Sequence, residues 1–188
     1  MTKSRCHGPP PLSMKLEIRL VEAILYVLPA YCANGAPVLF TRWMHVLHPI
    51  DMGLRFIDGR RVLGDGKTFE GLLVGVASGL TVGLGIYAIV PQFYRTLVEV
   101  MLLTVGAMAG DVLGAFIKRR MGLNRGAPAP VLDQLSFLVT ALLLIYLTVG
   151  LPGWLNAETL LGIAAFTALL HVGTNYGAYK LGLKDRPW

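Results

Sequence analysis

The sequence predicts an all-α integral membrane protein with five transmembrane helices. Of its 188 residues 54% are apolar, only 15% are charged, and 22 are glycine. Mean hydropathy is +0.59. A soluble domain of this length would need a larger charged surface. Disorder and a nucleic-acid-binding domain both fit poorly, because apolar content is high and aromatics do not interleave with basic patches. Five stretches also reach the roughly 20 apolar residues that a bilayer-spanning helix requires.

Taken in order, residues 1–15 read as a Pro-rich disordered tail, and residues 16–188 as a single five-helix membrane catalytic domain. The first apolar run, Leu20–Phe40, is too long for the core of a signal peptide and ends in no small-residue cleavage site. Cys6 in the tail and Cys32 in this run supply neither a disulfide framework nor a CxxC metal site. The interval Thr41–Glu70 is too short to fold as a domain of its own. The second span, Gly71–Val90, carries Gly71, Gly75, Gly79 and Gly83 at four-residue intervals. Gly106, Gly110 and Gly114 repeat that spacing in the third, Leu97–Phe116. Such stripes let helices approach closely. Val131–Leu151 and Thr159–Tyr179 complete the set.

Orientation follows from the basic residues. Arg42, Arg55, Arg60, Arg61 and Lys67 lie between spans one and two, Lys118, Arg119, Arg120 and Arg125 between three and four, and Lys180, Lys184 and Arg186 after five. The other side has Lys3, Arg5, Lys15, Arg19 and Arg95. This excess predicts the N-terminus outside and the C-terminus in the cytoplasm. The net charge of +6 then needs no nucleic-acid partner, though it suits an anionic substrate.

Polar groups inside a membrane are costly, so each calls for a partner or a role. Asn34, Asp111, His171 and Asn175 lie near the cytoplasmic exits of their helices, and Asp133 at the cytoplasmic start of span four. At about 1.5 Å per residue, the four near helix exits sit roughly 6–12 Å below that boundary. The opposite halves hold only Glu22 and Glu99, close to the far surface. Four of the five helices thus direct polar side chains to one depth, the signature of a cavity open to the cytoplasm. Asp111 and Lys118 are two turns apart on one face, where mutual neutralisation is one reading. Asp133, arriving after a basic loop with nothing local to pair with it, favours another. Two carboxylates beside a basic cluster are what a hard cation bridging phosphates requires. Lys118-Arg119-Arg120 is also an ordinary positive-inside helix end, and His171 equally an ordinary buried histidine.

The loop before span two ends in Gly64-Asp65-Gly66-Lys67-Thr68. A Walker A motif would need glycine where Arg61 stands, and no strand-plus-helix domain surrounds it, so a P-loop ATPase is rejected. Flexible glycines, a lysine and a threonine still lead into a helix N-terminus that favours phosphate. A solvated loop with a helix cap at Thr68 is the alternative.

Together these patterns resemble the CTP-dependent phosphatidate cytidylyltransferase superfamily, and more closely its short archaeal branch, the CDP-archaeol synthases. The superfamily's G-K-T-x-x-G stretch reads Gly66-Lys67-Thr68-Phe69-Glu70-Gly71 here. Its second signature reads Gly110-Asp111, then Lys118-Arg119, then Pro130 and Asp133. Pro29-Ala30 with Asn34 and Pro37, Asp51-x-Gly53, Asp58-Gly59-x-Arg61, His171, Asn175 and the Lys184–Trp188 end resemble the archaeal branch. Ala115, Asn124-Arg125 and Ser136 depart from the bacterial enzymes, which also favours the archaeal branch.

The resemblance implies attack by an isoprenoid-ether glycerol phosphate on the α-phosphorus of CTP, leaving a CDP-activated lipid and pyrophosphate, in a multi-pass cell-membrane enzyme whose active site faces the cytoplasm. It implies Mg²⁺ held by Asp111 and Asp133, and catalysis by those residues with Lys67 and Lys118. Gly64, Asp65, Gly66, Lys67, Thr68, Arg61, Lys118 and Arg119 would contact the CTP phosphates, while Asn34, His171 and Asn175 would line the cavity. A small transporter of an anionic solute and a glycerol-phosphate acyltransferase are the competing classes. The first would usually show an internal repeat, and the second a glycine-rich acyl-phosphate loop without a carboxylate pair.

Overall fold

The computed structural model describes residues 12–182. They form six helices: α1 (Leu12–Tyr26), α2 (Leu28–Phe40), α3 (Phe69–Ile89), α4 (Leu97–Arg120), α5 (Leu132–Val149) and α6 (Ala157–Lys180). No β-strand occurs among the described residues. Helices α3 to α6 are each long and apolar enough to cross a membrane, and Glu17–Tyr26 with Leu28–Phe40, bent by 54° at their break, together make a candidate fifth span by length and composition. Residues 1–11 of the expected tail and the Lys184–Trp188 motif lie outside the described residues, while residues 12–15 already belong to α1.

The continuous first span expected over Leu20–Phe40 is therefore corrected to a broken one, and the break has a local cause. Pro29 occupies the first turn of α2 and has no N–H to give to the Leu25 carbonyl. The Ala30 amide bonds Val27 O at 2.9 Å, leaving the Tyr26 carbonyl without a helical donor. The Tyr94 hydroxyl takes its place, donating to Tyr26 O at 3.1 Å from a side chain that is almost fully buried. Tyr26 also packs on Phe93, Tyr94 and Trp154, with ring centroids 6.4, 5.3 and 5.5 Å away. These aromatics close the end of the bundle where α3 meets α4 and α5 meets α6. Beside them Glu99 is fully buried. Arg95 donates to it through Nε at 2.6 Å and through its amide at 2.8 Å. The same guanidinium donates to the Gly150 carbonyl, tying the α3–α4 turn to the end of α5.

The glycine stripes make the close seams their spacing predicts. A Cβ on Gly75 would lie 2.7 Å from Ala33 O, and one on Gly79 2.8 Å from Pro29 O, so α3 rides directly on the α2 backbone. On α4, a Cβ on Gly106 would meet Ala141 Cα at 2.6 Å and one on Gly110 would meet Phe137 Cα at 2.7 Å. Helices α4 and α5 are thus in backbone contact at the level of the cavity described below.

At the other end, residues 44–68 fold against the last turn of α4. Two isolated antiparallel bridges, Pro49 with Thr68 and Arg55 with Arg61, shape this segment. Arg120 anchors it. Its guanidinium lies over the Phe56 and Phe116 rings, 4.7 and 5.1 Å from their centroids. It also donates to Asp58 Oδ1 at 2.6 Å and to Arg61 O at 2.5 Å. In return Arg60 donates to Arg120 O at 2.9 Å, satisfying a carbonyl at the helix end.

Candidate active site

A cavity of about 810 Å³ opens at the loop end of the bundle. Asn34 of α2 faces it, as do Gly64, Gly66, Lys67 and Thr68 of the loop. Helix α4 adds Asp111, Lys118 and Arg119, α5 adds Asp133, and α6 adds His171 and Asn175. The convergence of polar groups expected from their depth is therefore found.

Local folding places each of them. Thr68 is the N-cap of α3, its hydroxyl accepting from the Gly71 amide at 3.1 Å. This fixes Lys67 one residue before the helix. Lys67 Nζ reaches Asp111 Oδ2 at 2.6 Å. Asp111 and Lys118 do not neutralise each other, and Asp133 has a local partner after all. Lys118 Nζ donates to its two carboxylate oxygens at 2.8 and 3.1 Å. The reason is geometric: the Gly110 seam brings the start of α5 alongside α4, so the lysine reaches across instead of back along its own helix. The Ala129 amide adds a bond to Asp133 Oδ2 at 2.8 Å. Just before Asp133, Val131 adopts φ 69° and ψ −52°, and the Leu132 amide bonds Pro130 O at 2.8 Å. This is a γ-turn of the strained kind, unusual for a β-branched residue, and it turns the chain into α5. His171 and Asn175, one turn apart on α6, stand within 3.1 Å of each other.

Arg61 and Asp65 are placed differently. They form an ion pair at 2.8 Å outside the cavity lining, because Arg61 is committed to Asp51. Asp51 is almost wholly buried. It accepts from Arg61 at 2.5 and 3.2 Å, from the Leu63 and Gly64 amides at 2.9 and 2.8 Å, and from the Gly53 amide at 3.3 Å. The Arg61 guanidinium above all, with the amides of Gly64, Leu63 and Gly53 against the opposing effect of burial, holds its carboxyl well below the usual carboxylate range. Asp51 is the hub that fixes the glycine loop. Sequence reasoning met it only as part of the archaeal pattern, since an aspartate in a loop carries no sign that it will accept three backbone amides.

Among the described residues no three His, Cys, Asp or Glu side chains gather as a preformed cation cage. Asp111 and Asp133 nevertheless face one cavity and offer hard oxygen donors. One or two carboxylates completed by substrate phosphates is how Mg²⁺ is ordinarily bound, so this donor set fits.

With this geometry in place, comparison with known proteins is decisive. A profile of the family described as "CarS-like: CDP-archaeol synthase" matches residues 16–188. The chain belongs to the CDP-archaeol synthase family. It is similar to the CDP-archaeol synthase of Methanopyrus kandleri, with 47% identity over 91% of this chain and 95% of that one. It is similar also to that of Pyrobaculum calidifontis, with 46% identity over 90% and 98%. A solved structure described as an intramembrane enzyme for archaeal membrane lipids biosynthesis superposes with a TM-score of 0.72 at 40% identity, covering 83% of this chain and 94% of that one. The family resemblance read from the motifs is borne out, and the transporter and acyltransferase readings have no support.

Proposed function

We propose that the protein is a CTP-dependent membrane cytidylyltransferase that transfers CMP to an unsaturated isoprenoid-ether glycerol phosphate, yielding CDP-archaeol and pyrophosphate for archaeal phospholipid synthesis. The observation that carries this reading is the pair of lysine–carboxylate contacts, Lys67–Asp111 and Lys118–Asp133, facing one cavity in a chain of this family. The excess of lysine and arginine at the loop end favours a cytoplasmic site, with the N-terminus outside and the C-terminus inside.

The nucleophile in this reaction is a lipid phosphate oxygen, already anionic, so no strong general base is needed. A new bond forms from that oxygen to the α-phosphorus while the α–β bridging bond breaks, and the electron pair leaves on pyrophosphate. Rate then comes from positioning and charge neutralisation. Lys67 and Lys118 approach the phosphates from two sides, and Arg119 adds a third cation. The Thr68 hydroxyl accepts from Gly71 N and retains its own proton to donate. Gly64 and Gly66 present no side chain to obstruct a nucleotide, and the Gly64 amide is held by Asp51. Asp111 and Asp133 would hold Mg²⁺, which supplies neutralisation of triphosphate charge when bound. Asn34, His171 and Asn175 line the cavity wall. Tyr31 and Thr167, hydrogen-bonded at 2.7 Å, tie α2 to α6. Beyond that tie Val38 and Leu39 of α2 and Leu170 and Thr174 of α6 line the cavity, offering lipid tails a lateral path.

The test is transfer of label from α-labelled CTP into lipid by purified protein with Mg²⁺. It compares the ether-linked isoprenoid phosphate with diacyl phosphatidate and uses Asp111→Asn as control. Labelled ether lipid, lost in the variant, is expected. Label in phosphatidate alone would retain the chemistry and remove the substrate assignment.

A further inference from the structure

Four lysine and arginine side chains line the cavity: Lys67, Lys118, Arg119 and Arg125. The two lysines are already in contact with the carboxylates of Asp111 and Asp133. Neither the Arg119 nor the Arg125 side chain makes a hydrogen bond or ion pair within the described residues. The cavity cations not already engaged by a carboxylate are therefore the two arginines. Their position is specific, because they flank the two ends of the glycine loop. Arg119 Cδ is 3.9 Å from where a Cβ on Gly64 would stand, and Arg125 Nε is 3.5 Å from where one on Gly66 would stand.

We propose that Arg125, acting with Arg119, is a binding residue for the pyrophosphoryl group, the β- and γ-phosphates of the nucleotide and the leaving group of the reaction. This rests on the cytidylyltransferase reading. The β,γ-end carries the greatest density of negative charge on a nucleoside triphosphate, and guanidinium forks recognise phosphate oxygens in pairs. The bare backbone at Gly64 and Gly66 lets the anion sit between the two forks. Arg125 is exposed on the connection between α4 and α5, beside solvent, which suits a group that departs into water. The lipid phosphate also carries anionic oxygens, but it is tethered to tails arriving from the bilayer. As the α–β bond breaks, charge accumulates on the bridging oxygen of the departing pyrophosphate, where these two cations stabilise it.

Calorimetric titration of folded wild-type protein, Arg125→Ala and Arg125→Lys with inorganic pyrophosphate, CMP and glycerol 1-phosphate tests this directly. Arg125→Ala should weaken pyrophosphate binding about tenfold, with CMP and glycerol 1-phosphate unchanged and Arg125→Lys in between. The KM for CTP should rise by a similar factor. Unchanged pyrophosphate binding in Arg125→Ala, or a greater loss for glycerol 1-phosphate, would overturn the proposal. If the alanine variant does not fold, the lysine variant decides alone, because it keeps the charge but removes the paired donors. The arms also separate this inference from the reading beneath it. Arginine-dependent pyrophosphate binding without label transfer to lipid would remove the cytidylyltransferase reading and leave the anion site. Label transfer untouched in Arg125→Ala would do the reverse.

Discussion

Lys67 Nζ lies 2.6 Å from Asp111 Oδ2, although 44 residues separate them in the chain. The lysine belongs to the loop that begins α3 and the carboxylate to α4. The second contact, Lys118 with Asp133, runs in turn from α4 to α5. Each pair thus joins two elements, and together they hold loop, α4 and α5 in register around one cavity. Asp111→Asn and Asp133→Asn should each lower turnover by about 100-fold or more, since a hard cation loses an anionic ligand. Label transfer from CTP at saturating substrate checks this, and near-normal rates in either variant would remove the metal assignment.

Lys118→Ala separates catalysis from topology. A lysine that only marks the cytoplasmic end of α4 would leave the specific activity of correctly inserted protein intact. A lysine that neutralises phosphate charge should cost about tenfold or more in kcat. The measurement is activity per folded molecule, with insertion verified by protease protection.

Asp51 gives a prediction in pH. Its folded carboxyl titrates below the ordinary range because Arg61 and the loop amides hold the charged form. Its contribution to stability is therefore fully present above about pH 3.9, the unfolded value, and is lost as pH falls through that value toward the depressed one. Thermal unfolding in detergent between neutral and strongly acid pH should show this loss, and Asp51→Asn should flatten it. Since Asp51 positions the glycine loop and does not touch the cavity, the same variant should raise the KM for CTP more than it lowers kcat.

The α4–α5 seam can be tested with a single methyl group. A Cβ on Gly110 would stand 2.7 Å from Phe137 Cα, and backbone cannot move aside. Gly110→Ala should destabilise by about 1–3 kcal/mol. Gly85, on α3, has nothing within 4 Å of its would-be Cβ. Gly85→Ala should be neutral or stabilising by about 0.5–1 kcal/mol. Paired unfolding curves check both, and equal effects would mean that the seam is not packed as described.

Tyr94→Phe removes the hydroxyl that serves the Tyr26 carbonyl at the α1–α2 break. An unsatisfied buried carbonyl costs about 1–3 kcal/mol, so the thermal midpoint should fall while the loop-end site keeps its KM values.

What could be read beforehand depended on whether local pattern or long-range docking set the outcome. Four of the five spans follow from apolar length alone, and the helix seams from glycine spacing. The break at Val27 was less visible, because Pro29 and Pro37 lie in an apolar run long enough for a full span and the stabilising hydroxyl comes from Tyr94, far along the chain. At the site, the depths of Asn34, Asp111, His171 and Asn175 marked a shared cavity correctly. Partner choice was not legible. Asp111 and Lys118 share a helix face, yet the close α4–α5 packing redirects Lys118 to Asp133. Arg61 looked like a phosphate ligand within a glycine loop until Asp51 engaged it.

The aromatic seal of Tyr26, Phe93, Tyr94 and Trp154 has an electrical consequence. A polar cavity that reaches Tyr31, Met108 and Phe137 would make the protein a leak if it continued to the far surface. Instead the far half is filled by packed helices and capped by four aromatic rings in tilted and edge-to-face contact. Membrane voltage must then drop across that packed half, while the cavity stays near the potential of the water it opens to. Moving one charge through the full field costs about 2.3 kcal/mol per 100 mV, and a polyanion entering this cavity crosses little of it. If the cavity takes a nucleoside triphosphate as proposed, its uptake and release should depend little on membrane voltage, leaving the ion gradient intact.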